Sequence, residues 1–110
     1  MGIGSREIDG ITIVEPEGRL DAASAKSFKD AIMRRAEKGG QRLVVDLSRV
    51  RFLDSSGLGV LVSCLRRFTD SGGDIKLCGL RPEIQSLFAL TRLNKVFDIF
   101  VTAEEAAAAF

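Results

Sequence analysis

Residues 42–47, with the sequence RLVVDL, restrict the fold of this chain more than any other segment. The run is aliphatic and β-branched and lacks the alternation of a half-buried strand, so it predicts a strand buried on both faces. Segments with apolar residues at helical spacing precede and follow it. Because helices cover both faces of such a sheet, we expect this strand to be central.

A hairpin is predicted at the start of the chain. Two runs of alternating polar and apolar residues, at about 5–9 and 11–16, flank Asp9-Gly10, a dipeptide typical of two-residue hairpin turns. Pro16 is expected to end the second strand, because proline has no amide proton to donate to a sheet ladder. The chain therefore opens with an antiparallel pair of strands.

Helices and strands alternate through the rest of the sequence. The first helix is expected to begin near Asp21, as its N-cap, and to end at Gly39-Gly40. A second helix is predicted from an apolar stripe that starts at Leu58 and is closed by Gly72-Gly73. The other predicted elements are a connection at 48–54, a strand at 74–79, a helix at 81–90 with Pro82 in its first turn, a short strand at 95–100, and a helix at 102–110 that opens with Thr102 and Glu105 at capping-box spacing.

This order of elements predicts one domain of the α/β class over residues 1–110. The sheet should be mixed, with about five strands that include the N-terminal hairpin, and about four helices should pack against it. Crossovers between parallel strands should be right-handed.

Charge and hydropathy exclude two classes of partner. The net charge is +1, from 16 basic and 15 acidic residues, so no excess of positive charge is available for nucleic-acid phosphates. The longest uncharged stretch, residues 55–65, is shorter than the ~20 residues that cross a bilayer, which argues against a membrane partner. The opening residues MGIGSR form no basic and apolar leader, so we expect a cytoplasmic protein. Nothing in the pattern requires a dimer, and we expect a monomer.

The residue types also argue against an enzyme. The chain has no His, which is the usual general base near neutral pH and the commonest metal ligand. We therefore expect no catalytic residue, no bound metal and no cofactor. Cys64 and Cys78 lie in apolar runs without CxxC spacing, which favours buried free thiols over a disulfide or a metal pair.

The segment FLDSSGLGVL, residues 52–61, places an acid and two hydroxyls between a strand-like run and a helical stripe. Asp54 or Ser55 could act as an ordinary helix N-cap there. One acceptor is enough for a cap, however, and Gly57 and Gly59 each cost the following helix roughly 0.5–1 kcal/mol relative to alanine. The small residues therefore indicate that a ligand or another protein approaches this turn closely.

Three kinds of chemistry can be compared for this turn. A phosphate-binding loop is disfavoured, because the third glycine of GxGxxG and the P-loop lysine are both missing. A nucleophilic serine would need a base, and no His is available. The third possibility is phosphorylation of the serine hydroxyl. A phosphate adds about −1.5 to −2 charges and is stabilised at a helix N-terminus. In the middle of a packed interface, the same charge would weaken binding of the partner.

The segment VVDLSRVRFLDSSGLGVLV, residues 44–62, closely resembles the signature of bacterial anti-sigma factor antagonists, which are small STAS-domain proteins. EGRLDAASA, residues 17–25, is similar to the other characteristic stretch of that family. The resemblance extends over nearly the whole chain and implies the STAS fold.

The resemblance also implies a switch. Its phosphorylation site corresponds to Ser55, with Ser56 as the alternative hydroxyl one residue later. The unphosphorylated protein would bind an anti-sigma factor that is also a serine kinase, and would thereby free a sigma factor. Phosphorylation would break this complex, and a metal-dependent serine phosphatase would restore it.

The partner surface that the resemblance implies combines Asp21 with residues 54–59, DSSGLG, which we call the signature turn. Asp21 could equally be only a helix N-cap. Arg49 and Arg51 are interpreted either as solvated loop charges or as the rim of this surface. A STAS subunit that docks on a transporter ATPase is the alternative function. The residues of the implied surface are Asp21, Asp54, Ser55, Ser56, Gly57, Leu58 and Gly59.

Overall fold

A computed structural model describes residues 2–37 and 41–110. Within them a mixed sheet carries helices on both faces, which confirms the predicted α/β class with its N-terminal hairpin. Five strands lie side by side in the order β1-β2-β3-β5-β6, and β4 pairs with β2. The elements are β1 (Gly2–Ile8), β2 (Ile11–Leu20), α1 (Ala25–Glu37), β3 (Arg42–Asp46), β4 (Val50–Leu53), α2 (Ser55–Asp70), β5 (Asp74–Cys78), α3 (Pro82–Leu90), β6 (Ile99–Phe100) and α4 (Ala103–Ala108).

The central position predicted for residues 42–47 is confirmed, because β3 lies between β2 and β5 and is parallel to both. Its side chains alternate between the two faces of the sheet. Leu43 and Val45 pack into the main core with residues of α1, α2 and α3. Val44 packs on the other face against Ala103 and neighbouring alanines of α4. The continuous apolar run is thus explained by a strand with no solvated face.

The hairpin turn also forms as predicted. Asp9 and Gly10 both have positive φ, 49° and 82°, and Ile8 pairs with Ile11 across the turn. The expectation that Pro16 ends the second strand is wrong, since β2 continues to Leu20. Pro16 lies between the stretch of β2 that pairs with β3, residues 12–14, and the stretch that pairs with β4, residues 18–20. Its missing amide proton therefore breaks neither parallel ladder.

β4 lies within residues 48–54, which the predicted order of elements treats as a connection although the run before Asp54 is strand-like. The strand has four residues, of which Val50 and Leu53 are buried while Arg51 and Phe52 are exposed. So short a segment shows no alternation. It forms because the extension of β2 past Pro16 offers it a parallel partner, with a register shift beside Gly18.

Other element boundaries also differ from the prediction, and β1 begins at Gly2 instead of near residue 5. The first helix begins at Ala25, four residues after the expected N-cap Asp21, because residues 21–24 form a hydrogen-bonded turn of their own. Its predicted end at Gly39-Gly40 lies outside the described residues. The last strand is limited to Ile99–Phe100 and is preceded by a short 3₁₀ turn at Leu93–Lys95.

The other helices follow the predicted pattern. α2 buries its apolar stripe, Pro82 occupies the first turn of α3, and the Thr102 hydroxyl caps α4 by accepting a hydrogen bond from the amide of Glu105 at 3.1 Å. No helix among residues 2–37 and 41–110 combines the length and the apolar character that crossing a membrane requires.

Candidate functional site

The candidate site lies where β2 and β4 end. Leu20 and Leu53, the last residues of these parallel strands, are paired in register, so Asp21 and Asp54 are the first residues past two neighbouring strand ends. The amide of Asp54 also donates to the carbonyl of Leu20 at 3.4 Å. Because adjacent strands are about 4.8 Å apart, the two aspartates belong to one surface. The structure thereby brings together two segments that are 33 residues apart in the sequence.

Asp54 is the N-cap of α2. Its backbone is extended, and its carboxylate Oδ1 accepts a hydrogen bond from the amide of Gly57 at 3.1 Å. Of the two candidates, Asp54 therefore caps the helix, and Ser55 does not have that role. The acid in the signature turn therefore has a structural function whatever else it contacts.

Ser55 and Ser56 occupy the first two positions of α2. Ser55 is exposed, while Ser56 is half-buried. Neither hydroxyl makes a hydrogen bond of the standard geometry to any of the residues that the structure describes. The Ser55 hydroxyl is thus accessible at the positive end of a 16-residue helix.

The two glycines of the signature turn have different environments. A side chain at Gly57 would collide with the Leu20 carbonyl and would lie 2.6 Å from Leu53 Cδ1, so close packing of α2 on the strand ends explains this glycine. A methyl group at Gly59 would meet nothing within 4 Å. Packing within the chain therefore does not explain Gly59, which is exposed on the same helix.

The residues of the implied partner surface are not equally accessible. Gly57 and Leu58 are buried, and Leu58 is part of the main core. Ser55 and Gly59 are exposed, and Asp54 and Ser56 are intermediate. Gly57 and Leu58 can act on a partner only by fixing the position of the helix that carries the exposed residues.

Asp21 is held by a network within the turn that follows β2. Its Oδ1 accepts from the amide of Ala23 at 3.1 Å, and its Oδ2 lies 3.2 Å from Nε of Arg19. The hydrogen bond from Arg19 is the main cause that lowers the pKa of the Asp21 carboxyl, assisted by the amides of Ala23 and Ser24 and opposed by partial desolvation. Asp21 is therefore ionised and oriented, although it is not the N-cap of α1.

An exposed arginine and phenylalanine that the sequence reasoning missed complete this surface. The guanidinium of Arg19 stacks over the ring of Phe52, 4.0 Å from its centroid, and the two residues are register partners on β2 and β4. Phe52 is 38% exposed, which is unusual for a phenylalanine. Phenylalanine and arginine are both enriched in protein–protein interfaces. Only the presence of β4 reveals this pair.

An open cleft of about 420 Å³ adjoins Asp21, with walls from the end of β2 and the start of α1. The cleft contains a mixture of charged and small polar side chains. Across residues 2–37 and 41–110, no three side chains of His, Cys, Asp or Glu lie close enough together to hold a metal ion. The arrangement is suited to contact with another protein's surface.

Both cysteines are buried free thiols, as predicted. Cys64 lies in the main core, and Cys78 lies in the smaller cluster on the other face of the sheet. Burial is the main cause that raises the pKa of the Cys64 thiol to about 11 and that of the Cys78 thiol to about 12. The sheet between them prevents a disulfide.

Comparison with known proteins identifies a family whose sequence pattern this chain matches. The family model described as "STAS domain" matches residues 3–106. BtrV of Bordetella bronchiseptica, which has been assigned as an anti-sigma factor antagonist, is 30% identical over 110 residues, covering 100% of this chain and 95% of that protein. The anti-sigma-B factor antagonist of Listeria monocytogenes is 33% identical over 97 residues, covering 88% of this chain and 84% of that protein.

A solved structure is similar throughout. The crystal structure of an anti-sigma factor antagonist from Mycobacterium paratuberculosis superimposes with a TM-score of 0.88 at 27% identity and covers 98% of this chain and 92% of that one. The order and packing of the elements described above are therefore shared with a protein solved by experiment.

Proposed function

This chain belongs to the STAS domain family, and from that premise we propose that it is an anti-sigma factor antagonist controlled by phosphorylation of Ser55. In its unphosphorylated form it binds an anti-sigma factor that is also a serine kinase, and this binding releases a sigma factor for transcription. It works in the cytoplasm and has no catalytic activity of its own. A metal-dependent serine phosphatase returns it to the binding form.

The environment of Ser55 is the observation that carries this proposal. Its hydroxyl is exposed at the first position of α2, while the capping role belongs to Asp54. A kinase needs an accessible hydroxyl whose modification does not unfold its target, and this position meets both conditions. The half-buried Ser56 meets the first condition less well.

A phosphate on Ser55 would act by charge at the surface. The free amides at the start of α2 stabilise an anion there, so the helix itself tolerates the group. Asp54 precedes the site, and Asp21 lies past the neighbouring strand end. The added charge of about −1.5 to −2 therefore falls among carboxylates, where burial against a partner is opposed by desolvation and by repulsion from any acidic group.

The first experiment maps the modification. The protein is incubated with ATP and the full-length anti-sigma kinase of the same organism, and phosphate is located by mass spectrometry. We expect label on Ser55, none in a Ser55→Ala variant, and undiminished label in the matched control Ser56→Ala. Label that persists in Ser55→Ala and disappears in Ser56→Ala would move the site by one residue. No label, with a tight complex to a transporter ATPase instead, would support the alternative function.

The second experiment separates charge from shape. Ser55→Ala should bind the anti-sigma kinase as tightly as the wild type, whereas Ser55→Asp should weaken binding at least tenfold. Ser55→Asn is the control, because it has nearly the shape of aspartate without its charge. If Ser55→Asp binds as tightly as Ser55→Asn, repulsion by the charge does not explain the switch.

A further inference from the structure

A second cleft, beside the start of the pairing between β2 and β4, is lined mainly by arginines. It has a volume of about 330 Å³, and its walls come from Glu17 and Gly18 of β2, Arg49 and Arg51 around the start of β4, and Arg81 before α3. Three guanidinium groups thus meet one carboxylate. In a chain whose net charge is only +1, this is a local concentration of positive charge.

The positive charge of this cleft is largely uncompensated. Arg49 lies 3.9 Å from the Glu17 carboxylate, in a pair whose side chains are both about two-thirds exposed, at 65% and 66%. Among the residues described, neither Arg51 nor Arg81 forms an ion pair. Nε of Arg81 donates to the carbonyl of Ser48 at 3.1 Å, which holds the rest of its guanidinium at the cleft.

This arginine cleft adjoins the cleft beside Asp21. Glu17 and Gly18 line both it and the cleft beside Asp21. Arg51 also lies only two residues before Leu53, the end of β4 that leads into residues 54–59. A partner protein that binds at the signature turn could therefore also contact the arginines of the neighbouring cleft.

We propose that the arginine cleft receives carboxylate side chains of the same anti-sigma factor that docks on the signature turn. This inference rests on the proposed function and names the chemistry of the partner's contact. Arginine suits such a contact, since its planar fork can bind a carboxylate through two hydrogen bonds. The cleft is open and its arginines are solvated, so a free anion gains little there, whereas a covering interface excludes water and strengthens each pair.

The test measures the affinity of the full-length protein for its anti-sigma kinase at 50 and 300 mM salt. Arg51→Gln should weaken binding about three- to tenfold at low salt, and Arg51→Glu should weaken it by more than tenfold, because charge complementarity becomes repulsion. The loss should shrink at high salt. The matched control is Arg66, which is exposed in the last turns of α2, away from the cleft; Arg66→Gln and Arg66→Glu should each stay within about twofold of the wild type.

The outcomes distinguish this inference from the proposed function. If the wild type binds the kinase and Arg51→Glu binds equally well, the inference fails while the function stands. If the wild type does not bind the kinase, the function fails, and a titration of the isotope-labelled protein with a hexaglutamate peptide decides the nature of the cleft by NMR. Amide shifts at Gly18 and Arg51 that vanish in Arg51→Glu would support a carboxylate site. Saturation by inorganic phosphate at lower concentrations than by the peptide would overturn it in favour of a small-anion site.

Discussion

Leu20 and Leu53 end two neighbouring parallel strands in register, and this pairing is what makes Asp21 and Asp54 neighbours. Gly57 then packs against both leucines, so the helix that presents Ser55 rests directly on the two strand ends. The position of the exposed hydroxyl is therefore fixed by the core. Substitutions at this contact should therefore shift the position of Ser55 by changing how α2 packs on the strand ends.

Gly57 and Gly59 should respond in opposite directions to the same substitution. Gly57→Ala should lower the free energy of unfolding by about 1–3 kcal/mol, because the new methyl group collides with the Leu20 carbonyl and Leu53. Gly59→Ala should raise it by roughly 0.5–1 kcal/mol, since the methyl group enters open space in a helix. Urea denaturation measures both values. Equal destabilisation by the two variants would contradict this account.

Gly59→Ala also tests close approach by the partner. If Gly59 is there to let the anti-sigma factor come near α2, the more stable Gly59→Ala variant should bind that partner more weakly. Calorimetric titration of the two proteins would show the difference. A variant that is more stable and binds unchanged would mean that the partner does not approach α2 at this residue.

The capping role of Asp54 predicts a graded effect of substitution. Asp54→Ala should destabilise the protein by about 1 kcal/mol, because the amide of Gly57 loses its acceptor. Asp54→Asn should cost only a few tenths of a kcal/mol, since the carboxamide oxygen can accept the same bond. Thermal and urea unfolding compare the two. If asparagine destabilised as much as alanine, the negative charge and not the hydrogen bond would be what stabilises α2.

The contact between Arg19 and Asp21 predicts a change in acid titration. In the wild type the pKa of Asp21 lies below its ordinary value of 3.8, mainly because of the hydrogen bond from Arg19. A carboxyl with a lowered folded pKa stabilises the protein above its unfolded pKa, and loses that effect as the pH falls below about 4 towards the folded value. Arg19→Gln should move the pKa of Asp21 upwards, as followed by carboxyl carbon shifts in NMR. Arg51→Gln, which removes a more distant arginine, should leave it nearly unchanged.

The buried thiols predict low reactivity. Because burial raises the pKa of Cys64 to about 11 and of Cys78 to about 12, few thiolates form near pH 8 and reagents reach them poorly. Ellman's reagent should react slowly with the native protein and rapidly in denaturant. Stability should fall as the pH rises from about 9 towards these folded values, since only the unfolded chain releases the thiol protons in that range. Fast reaction of the native protein would show that the core opens readily.

At Lys76, we expect removal of the buried cation and removal of its two carboxylate partners to have different effects on the free energy of unfolding. Its side chain is 9% exposed and lies 2.8 Å from Asp98 Oδ2 and 3.2 Å from Asp74 Oδ2. These carboxylates raise the pKa of Lys76 against the opposing and individually largest effect of burial. Replacing both acids by asparagine removes the charges that compensate the ammonium and should cost about 1–2 kcal/mol, because the two acids are partly exposed, at 40% and 64%. Lys76→Met, whose two former partners remain solvated, should stay within about 1 kcal/mol of the wild type in chemical denaturation.

The sequence determined the features that depend on local pattern. The apolar run at 42–47, the Asp9-Gly10 turn, the stripe of α2 and the position of Pro82 each have a periodicity or a backbone requirement that neighbouring residues alone express. The signature turn at 54–59 was recognisable for the same reason, because its residue types follow one another in the chain. The same segment also restricts the N-cap of α2 to two candidates, Asp54 and Ser55.

Only the tertiary structure decided what depends on distant partners. Residues 50–53 form a strand because the extension of β2 past Pro16 pairs with them, and the four residues themselves do not identify that partner. That strand places Asp21 beside Asp54 and stacks Arg19 on Phe52. It also contacts Gly57 through Leu53, whereas nothing packs against Gly59. Chain order determined which residues could form the site, and the pairing of two strand ends determined which of them share a surface.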